Sequence, residues 1–193
     1  AAYRFEDSVL ELGRVGAGVT DIPNTQGVFS AAGELIGIET LSLFEYGNYI
    51  YKAGYQYSPD PTWSLGATLN YYHIKAGESL NGHGVNVDVG LHRILTQYPV
   101  EIAAIINNII PEQKITYATN GASEQLPRRY SLGVKYDVTK AYSIFSEIKK
   151  YGFHTDYFFS NALEYKPFYK NRDQNGFVAR VGYRQFPITH VSK

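Results

Sequence analysis

A period of two residues runs through this chain more persistently than any other pattern. Over residues 63–72, Trp63, Leu65, Ala67, Leu69 and Tyr71 fall on one face of an extended strand, and Ser64, Gly66, Thr68 and Asn70 fall on the other. Over 84–93, Val85, Val87, Val89 and Leu91 oppose Gly84, Asn86, Asp88, Gly90 and His92. Over 129–138, Tyr130, Leu132, Val134, Tyr136 and Val138 oppose Arg129, Ser131, Gly133, Lys135 and Asp137. Residues 49–57 set Tyr49, Tyr51, Ala53, Tyr55 and Tyr57 against Lys52, Gly54 and Gln56, and residues 177–186 set Phe177, Ala179, Val181 and Tyr183 against Arg180, Gly182 and Arg184. Strict alternation is the signature of strands. Less regular strand patterns cover 9–19, 38–46, 99–110, 141–151 and 157–166, and turn-forming residues cluster at 45–48, 58–62, 77–84, 120–127 and 170–176. The sequence therefore predicts an all-β, antiparallel, up-and-down meander of about 8–10 strands. One short helix is expected at 29–37, with Ser30 as its cap. No linker divides the chain, which reads as a single domain over 1–193: an N-terminal Gly-rich segment and helix (1–37), the strand meander (38–186) and a tail (187–193).

Alternating strands can put their apolar face into a soluble core or outward into lipid. Several of the patterns run ten residues or more, the length of a tilted membrane-crossing strand rather than of an ordinary soluble one. Gly54, Gly66, Gly90, Gly133 and Gly182 all fall on polar faces, where a crowded barrel interior favours small residues. Tyr57, Tyr71 and Tyr130 end apolar faces, as in an aromatic girdle, and the chain is rich in such rings, with 18 Tyr. The expected fold is thus a transmembrane β-barrel. Leu65, Leu69, Val85, Val87, Val89, Leu132, Val134 and Val181 would face lipid. Asn70, Asn86, Asp88, His92, Lys135, Asp137, Glu147, Glu164, Arg180 and Arg184 would face the lumen.

Composition narrows the partners. Lys plus Arg and Asp plus Glu both number 18, so no basic excess points to nucleic acid. The absence of Cys removes disulfides, thiolate metal sites and Cys nucleophiles. The Ala1-Ala2 start, with no Met anywhere, suits an exported chain whose signal peptide has been removed. The expected location is the bacterial outer membrane.

The polar residues offer several candidate chemistries. Asp88 and His92, four apart on a strand, are separated by ~13 Å and cannot chelate one ion together. The histidines His73, His83, His92, His154 and His190 read as lumen or turn residues, and no metal or other cofactor is expected. Glu147 and Glu164 could form the carboxylate pair of a glycan hydrolase only if the fold brought them together. The charged lumen residues otherwise read as a selectivity ring or, in a barrel this small, a polar plug. Residues 16–27 hold a Gly-x-Gly but lack the third glycine and the helix of a dinucleotide site. Arg128-Arg129 opens a strand as an interfacial or lumenal cation pair.

Several segments also resemble a known family. "LELGRVGAGVTDIP" (10–23) followed by "FSAAGELIGI" (29–38) resembles the start of PorV/PorQ-type outer-membrane barrels, distant relatives of the FadL-like transporters. "VEIAAIINNIIP" (100–111), "LPRRYSLGVKYDV" (126–138), "ALEYKPF" (162–168) and "ARVGYR" (179–184) resemble later motifs of that family, in order. Ser30-Ala31 stands where the family has Asn-Pro, and the family usually adds a further hairpin after the last motif. The resemblance implies a non-enzymatic barrel: a secretion accessory or scaffold, an envelope structural component, or a narrow channel for hydrophobic solutes. Its expected partners are the lipid bilayer or lipopolysaccharide, and an exported protein or further copies of itself. The alternative is a soluble, secreted, lipocalin-like barrel holding a hydrophobic ligand.

Overall fold

The computed structural model describes residues 1–77, 80–118, 121–153, 155–166 and 177–185. His154, His190, the turn at 170–176 and the tail at 187–193 lie outside them. The described chain is all-β. Its strands are β1 (Ala2–Phe5), β2 (Ser8–Phe29), β3 (Leu35–Asp60), β4 (Trp63–Ala76), β5 (Leu80–Leu95), β6 (Val100–Asn107), β7 (Lys114–Tyr117), β8 (Ser123–Gln125), β9 (Arg129–Asp137), β10 (Tyr142–Tyr151), β11 (Tyr157–Tyr165) and β12 (Ala179–Arg184). They form one sheet of 12 strands in the order β1-β2-β3-β4-β5-β6-β9-β10-β11-β12, and every pairing is antiparallel. The β7–β8 hairpin attaches to the N-terminal end of β5, on the edge that β6 occupies further along, through Gly82↔Tyr117 and His83↔Thr116. The sheet is not closed into a barrel among the described residues: β1 and β12 are its two edges.

Several sequence expectations fail, for local reasons. The strands number 12 rather than about 8–10, because β1, β7 and β8, of three or four residues, are too short for alternation to show. The segment 1–37 is mostly β1 and β2, and the expected turns at 77–84 and 120–127 hold the start of β5 and all of β8. Residues 29–37 form no helix. Ser30 does cap, but it caps a tight turn: its Oγ accepts the N–H groups of Ala32 and Glu34, each at 3.2 Å, and Gly33 takes a positive φ of 81°. Residues 45–48 form no turn either, and the two strands expected around them are one strand of 26 residues. Gly47 stays extended because the ring of Tyr49 lies over it; a Cβ there would sit 2.6 Å from Tyr49 Cε2. Beyond the pair Tyr46↔Ala76, where β4 ends, β2 and β3 continue alone as a two-stranded ribbon to their tip at 30–34. The opposite end of the sheet has short connections at 6–7, 61–62, 96–99 and 138–141. These two ends are called the ribbon end and the turn end.

The register places the two chemistries on opposite faces. Ser64↔His92↔Ala103↔Gly133↔Glu147↔Ser160↔Arg184 runs across six strand pairs, and Asp137↔Ser143↔Glu164↔Arg180 runs parallel to it. Along β9 every polar-face residue is half-buried and every apolar-face residue is exposed, so the polar face is the inner one. Among the described residues only Ile74, Ile115 and Phe158 are buried apolar side chains, whereas Asn70 and Asn86 are 0% exposed. This sheet has no conventional apolar core.

Candidate functional site: the inner face

β5 carries the inner face through two different environments. Toward the ribbon end, the chain leaving β6 folds back over it. Asn108 and Glu112 take left-handed backbone conformations, with φ of 55° and 61°, a cost that surrounding contacts must offset. The contacts are specific. Asn86 acts as a substitute strand: its amide N donates to the Ile110 carbonyl at 3.2 Å, and its amide O accepts the Ile110 N–H at 3.0 Å. Asp88 accepts the Asn108 N–H at 2.9 Å. Tyr72 donates to Asn108 Oδ1 at 2.9 Å, and Asn108 donates to the Pro127 carbonyl at 2.9 Å. Arg128 reaches the Ile109 carbonyl at 2.8 Å, and Arg129 Nε reaches Asn107 Oδ1 at 2.8 Å. Arg128 is therefore a fastening for the inserted segment, while Arg129 ties β9 to the end of β6. Gly82 and Gly84 leave room for β7, since a Cβ on Gly84 would lie 3.0 Å from the Lys114 carbonyl O and 3.1 Å from Ile115 Cγ1. Asn70, opposite Asn86, is equally buried, but neither of its amide atoms has a hydrogen-bond partner among the described residues.

Toward the turn end the polar residues bond to one another. His92 Nε2 lies 3.1 Å from Glu101 Oε2, and Lys135 Nζ lies 2.7 Å from Glu101 Oε1 and 3.2 Å from Asp137 Oδ2. Ser143 Oγ donates to Asp137 at 2.6 Å. Glu164 takes Arg180 Nε at 2.5 Å and also pairs with Lys166. Glu147 pairs with Lys149 at 2.7 Å. Beside this network a bay of about 550 Å³ opens between β5 and β12, floored by Ala103, Gly133, Ala162 and Gly182 and flanked by Phe145 and Arg184. The small residues make the space, since each lies where a larger side chain would fill it.

All ten polar residues singled out from the sequence share this inner face, and Leu65, Leu69, Val85, Val87, Val89, Leu132, Val134 and Val181 share the outer one. The fold does not bring Glu147 and Glu164 together. Glu147 stands opposite Ser160, four residues along β11 from Glu164, and each carboxylate has its own cation. Among the described residues no three His, Asp or Glu side chains could hold a metal ion. Sequence reasoning missed Glu101, Tyr72, Asn107 and Asn108. Glu101 did alternate with Ala103, Ile105 and Asn107, but the apolar residues around it hid the pattern. No protein-family model and no curated protein matches this chain.

Proposed function

We propose that this chain is a non-enzymatic β-barrel protein of a bacterial outer membrane, with its outer face in lipid and its interior plugged at one end. The carrying observation is the inversion of the faces: large apolar side chains line the exposed outside, while the inner polar ones are buried, as Asn70, Asn86 and Glu164 are, or half-buried, as along β9, with Arg180 and Arg184 exposed on the edge strand β12. Leu65, Leu69, Leu132 and Val181 are 48%, 50%, 47% and 67% exposed. A contiguous apolar surface of this kind needs a partner phase.

Aromatic residues bound that surface. Trp63 and Tyr71 on β4, Tyr57 and Tyr49 on β3, and Tyr165 and Tyr157 on β11 are each eight residues apart. That is about 26 Å along a strand, or about 20 Å once the strand is tilted, against an apolar band of ~25 Å in outer-membrane barrels. Cations accompany the rings: Arg93 sits 4.1 Å over Trp63, and Lys150 sits 5.2 Å over Tyr157. The two longest excursions, the β2–β3 ribbon and the segment 108–128, both leave the ribbon end, and four of the five connections at the turn end are two to four residues long, the exception being 166–178. This favours the ribbon end as the outer one. Closing the sheet requires its β1 and β12 edges to be paired, by each other or by a further strand, because an unpaired edge cannot face lipid. The segment fastened at 108–117 favours a scaffold or envelope component over an open pore. A soluble lipocalin-like fold would instead turn the apolar faces inward.

The test is extraction and gel mobility. The protein is expected to need detergent for extraction and to migrate differently before and after heating. Free solubility in buffer, with no heat-dependent mobility, would contradict the reading. Leu132→Lys adds a quantitative arm: about 2–4 kcal/mol is expected if position 132 lies near the bilayer midplane, against about 0.5 kcal/mol or less for a solvated site.

A further inference from the structure

Six side chains on the outer face of β2–β5 form a closed ring of contacts near the ribbon end. The Arg14 guanidinium lies 4.2 Å over Tyr49. Tyr49 meets His73 at 6.3 Å, His73 stacks on His83 at 4.9 Å, and His83 stacks on Tyr71 at 5.8 Å. Tyr71 meets Tyr51 at 6.1 Å, and Tyr51 returns to Arg14 at 5.6 Å. The ring is built into the backbone. Tyr49 can lie flat because Gly16 and Gly47 carry no side chain beneath it, and a Cβ on either would collide with its ring. The Gly-rich run at 16–18 is thereby accounted for by packing. Lys75 projects on the same face two residues beyond His73.

Glu45 shares the surface beside Lys75 without pairing to it. Neither Arg14 nor Lys75 forms an ion pair among the described residues, whereas the inner-face cations Lys135, Lys149, Lys166 and Arg180 all do. Below the ring the outer face continues as Leu12, Leu69, Val85 and Val87, which is a surface for acyl chains. Cations held in no ion pair, above an apolar strip, suit an anion that carries its own hydrocarbon.

We propose that this ring is a docking site for a membrane lipid with an unshielded phosphate in its headgroup. Arg14 and Lys75 pair with the phosphate oxygens, and the acyl chains lie along Leu69 and Val85. His73 Nε2 is held by Asn81 Oδ1 at 3.1 Å and His83 Nδ1 by the Tyr71 hydroxyl at 2.6 Å, which fixes the two rings beside the cations. The proposal rests on the membrane reading above, so its test must separate the two.

The probe is phosphatidic acid in phosphatidylcholine vesicles, with diacylglycerol as the control lacking phosphate. Reconstituted protein is expected to retain phosphatidic acid over diacylglycerol through detergent exchange, read by mass spectrometry of the bound lipid. The double variant Arg14→Gln, Lys75→Gln is expected to lose about thirtyfold in that preference, from ~1 kcal/mol for each cation at a membrane surface. Heat-dependent gel mobility of the variant shows that it still folds. Insertion into both vesicle types with equal retention of the two lipids overturns the lipid site alone. Failure to insert into either overturns the membrane reading and the site with it.

Discussion

The two halves of the inner face are built from the same strand and solve the same problem differently. At the ribbon end, Asn86 and Asp88 bond to backbone groups of a segment 20 and 24 residues away in sequence. Four residues further along β5, His92 enters a network of side chains, Glu101, Lys135 and Asp137, and an unfilled bay lies beside it. Backbone groups cannot be removed by mutation and leave no room to move, so the first arrangement closes the interior. Side chains can rearrange or be replaced, so the second leaves it adaptable. A polar interior is thus not one environment. Whether it plugs or opens depends on whether its side chains clamp main chain or each other.

The sharpest way to break this contrast is Asn86→Leu. It strands both the N–H and the C=O of Ile110, and a buried unpaired polar group costs about 1–3 kcal/mol. A loss of about 2–4 kcal/mol in unfolding by denaturant in micelles is therefore expected, together with increased protease access to 108–113. Gly84→Val attacks the same half from the other side, by forcing the Lys114 backbone away. The expected cost is about 1–3 kcal/mol, read from the same unfolding curves. In the open half, Lys135→Met leaves Glu101 with His92 and Asp137 with Ser143, in a partly solvated setting. The expected loss is about 1 kcal/mol or less, with the proteolysis pattern at 108–113 unchanged. Equal losses from the Asn86 and Lys135 variants would erase the distinction between the halves.

The smallest expected effect lies outside both. Asp60, the last residue of β3, accepts the Thr62 hydroxyl and the Thr62 N–H from the adjoining turn, and these bonds hold its carboxyl below the ordinary value of 3.8. A carboxylate whose folded pKa is depressed contributes above its unfolded pKa and loses that contribution as pH falls through the folded value. Hydrogen exchange at the Thr62 amide should therefore lose protection on acidification below the ordinary aspartate range. Asp60→Asn should remove the pH dependence.

Much of the fold was legible because one face of each strand repeats every second residue, as at Leu65, Ala67 and Leu69 or at Leu132, Val134 and Tyr136. What escaped depends on contacts distant in sequence. Nothing local says that Gly47 lies under Tyr49, so "EYGN" read as a turn and a 26-residue strand was split. Ser30 was rightly a cap, but capping geometry is shared by helices and tight turns, and Gly33 with its left-handed φ decides for the turn. Asn86 was placed on the polar face without its purpose, because its partner Ile110 lies 24 residues away. The opposed pairing of Glu101 and Lys135 needed the β6–β9 register, which skips the inserted β7–β8 hairpin.

The central claim is that the outer face lies in lipid, and the chain carries its own probe for it. Trp63 is the only tryptophan. It stands on the apolar face at the turn end, with Arg93 over its ring. In vesicles of brominated phospholipids, its fluorescence should be quenched most by bromines near the headgroup and less by bromines near the chain ends. Trp63 emission that no bromine depth quenches would contradict the account.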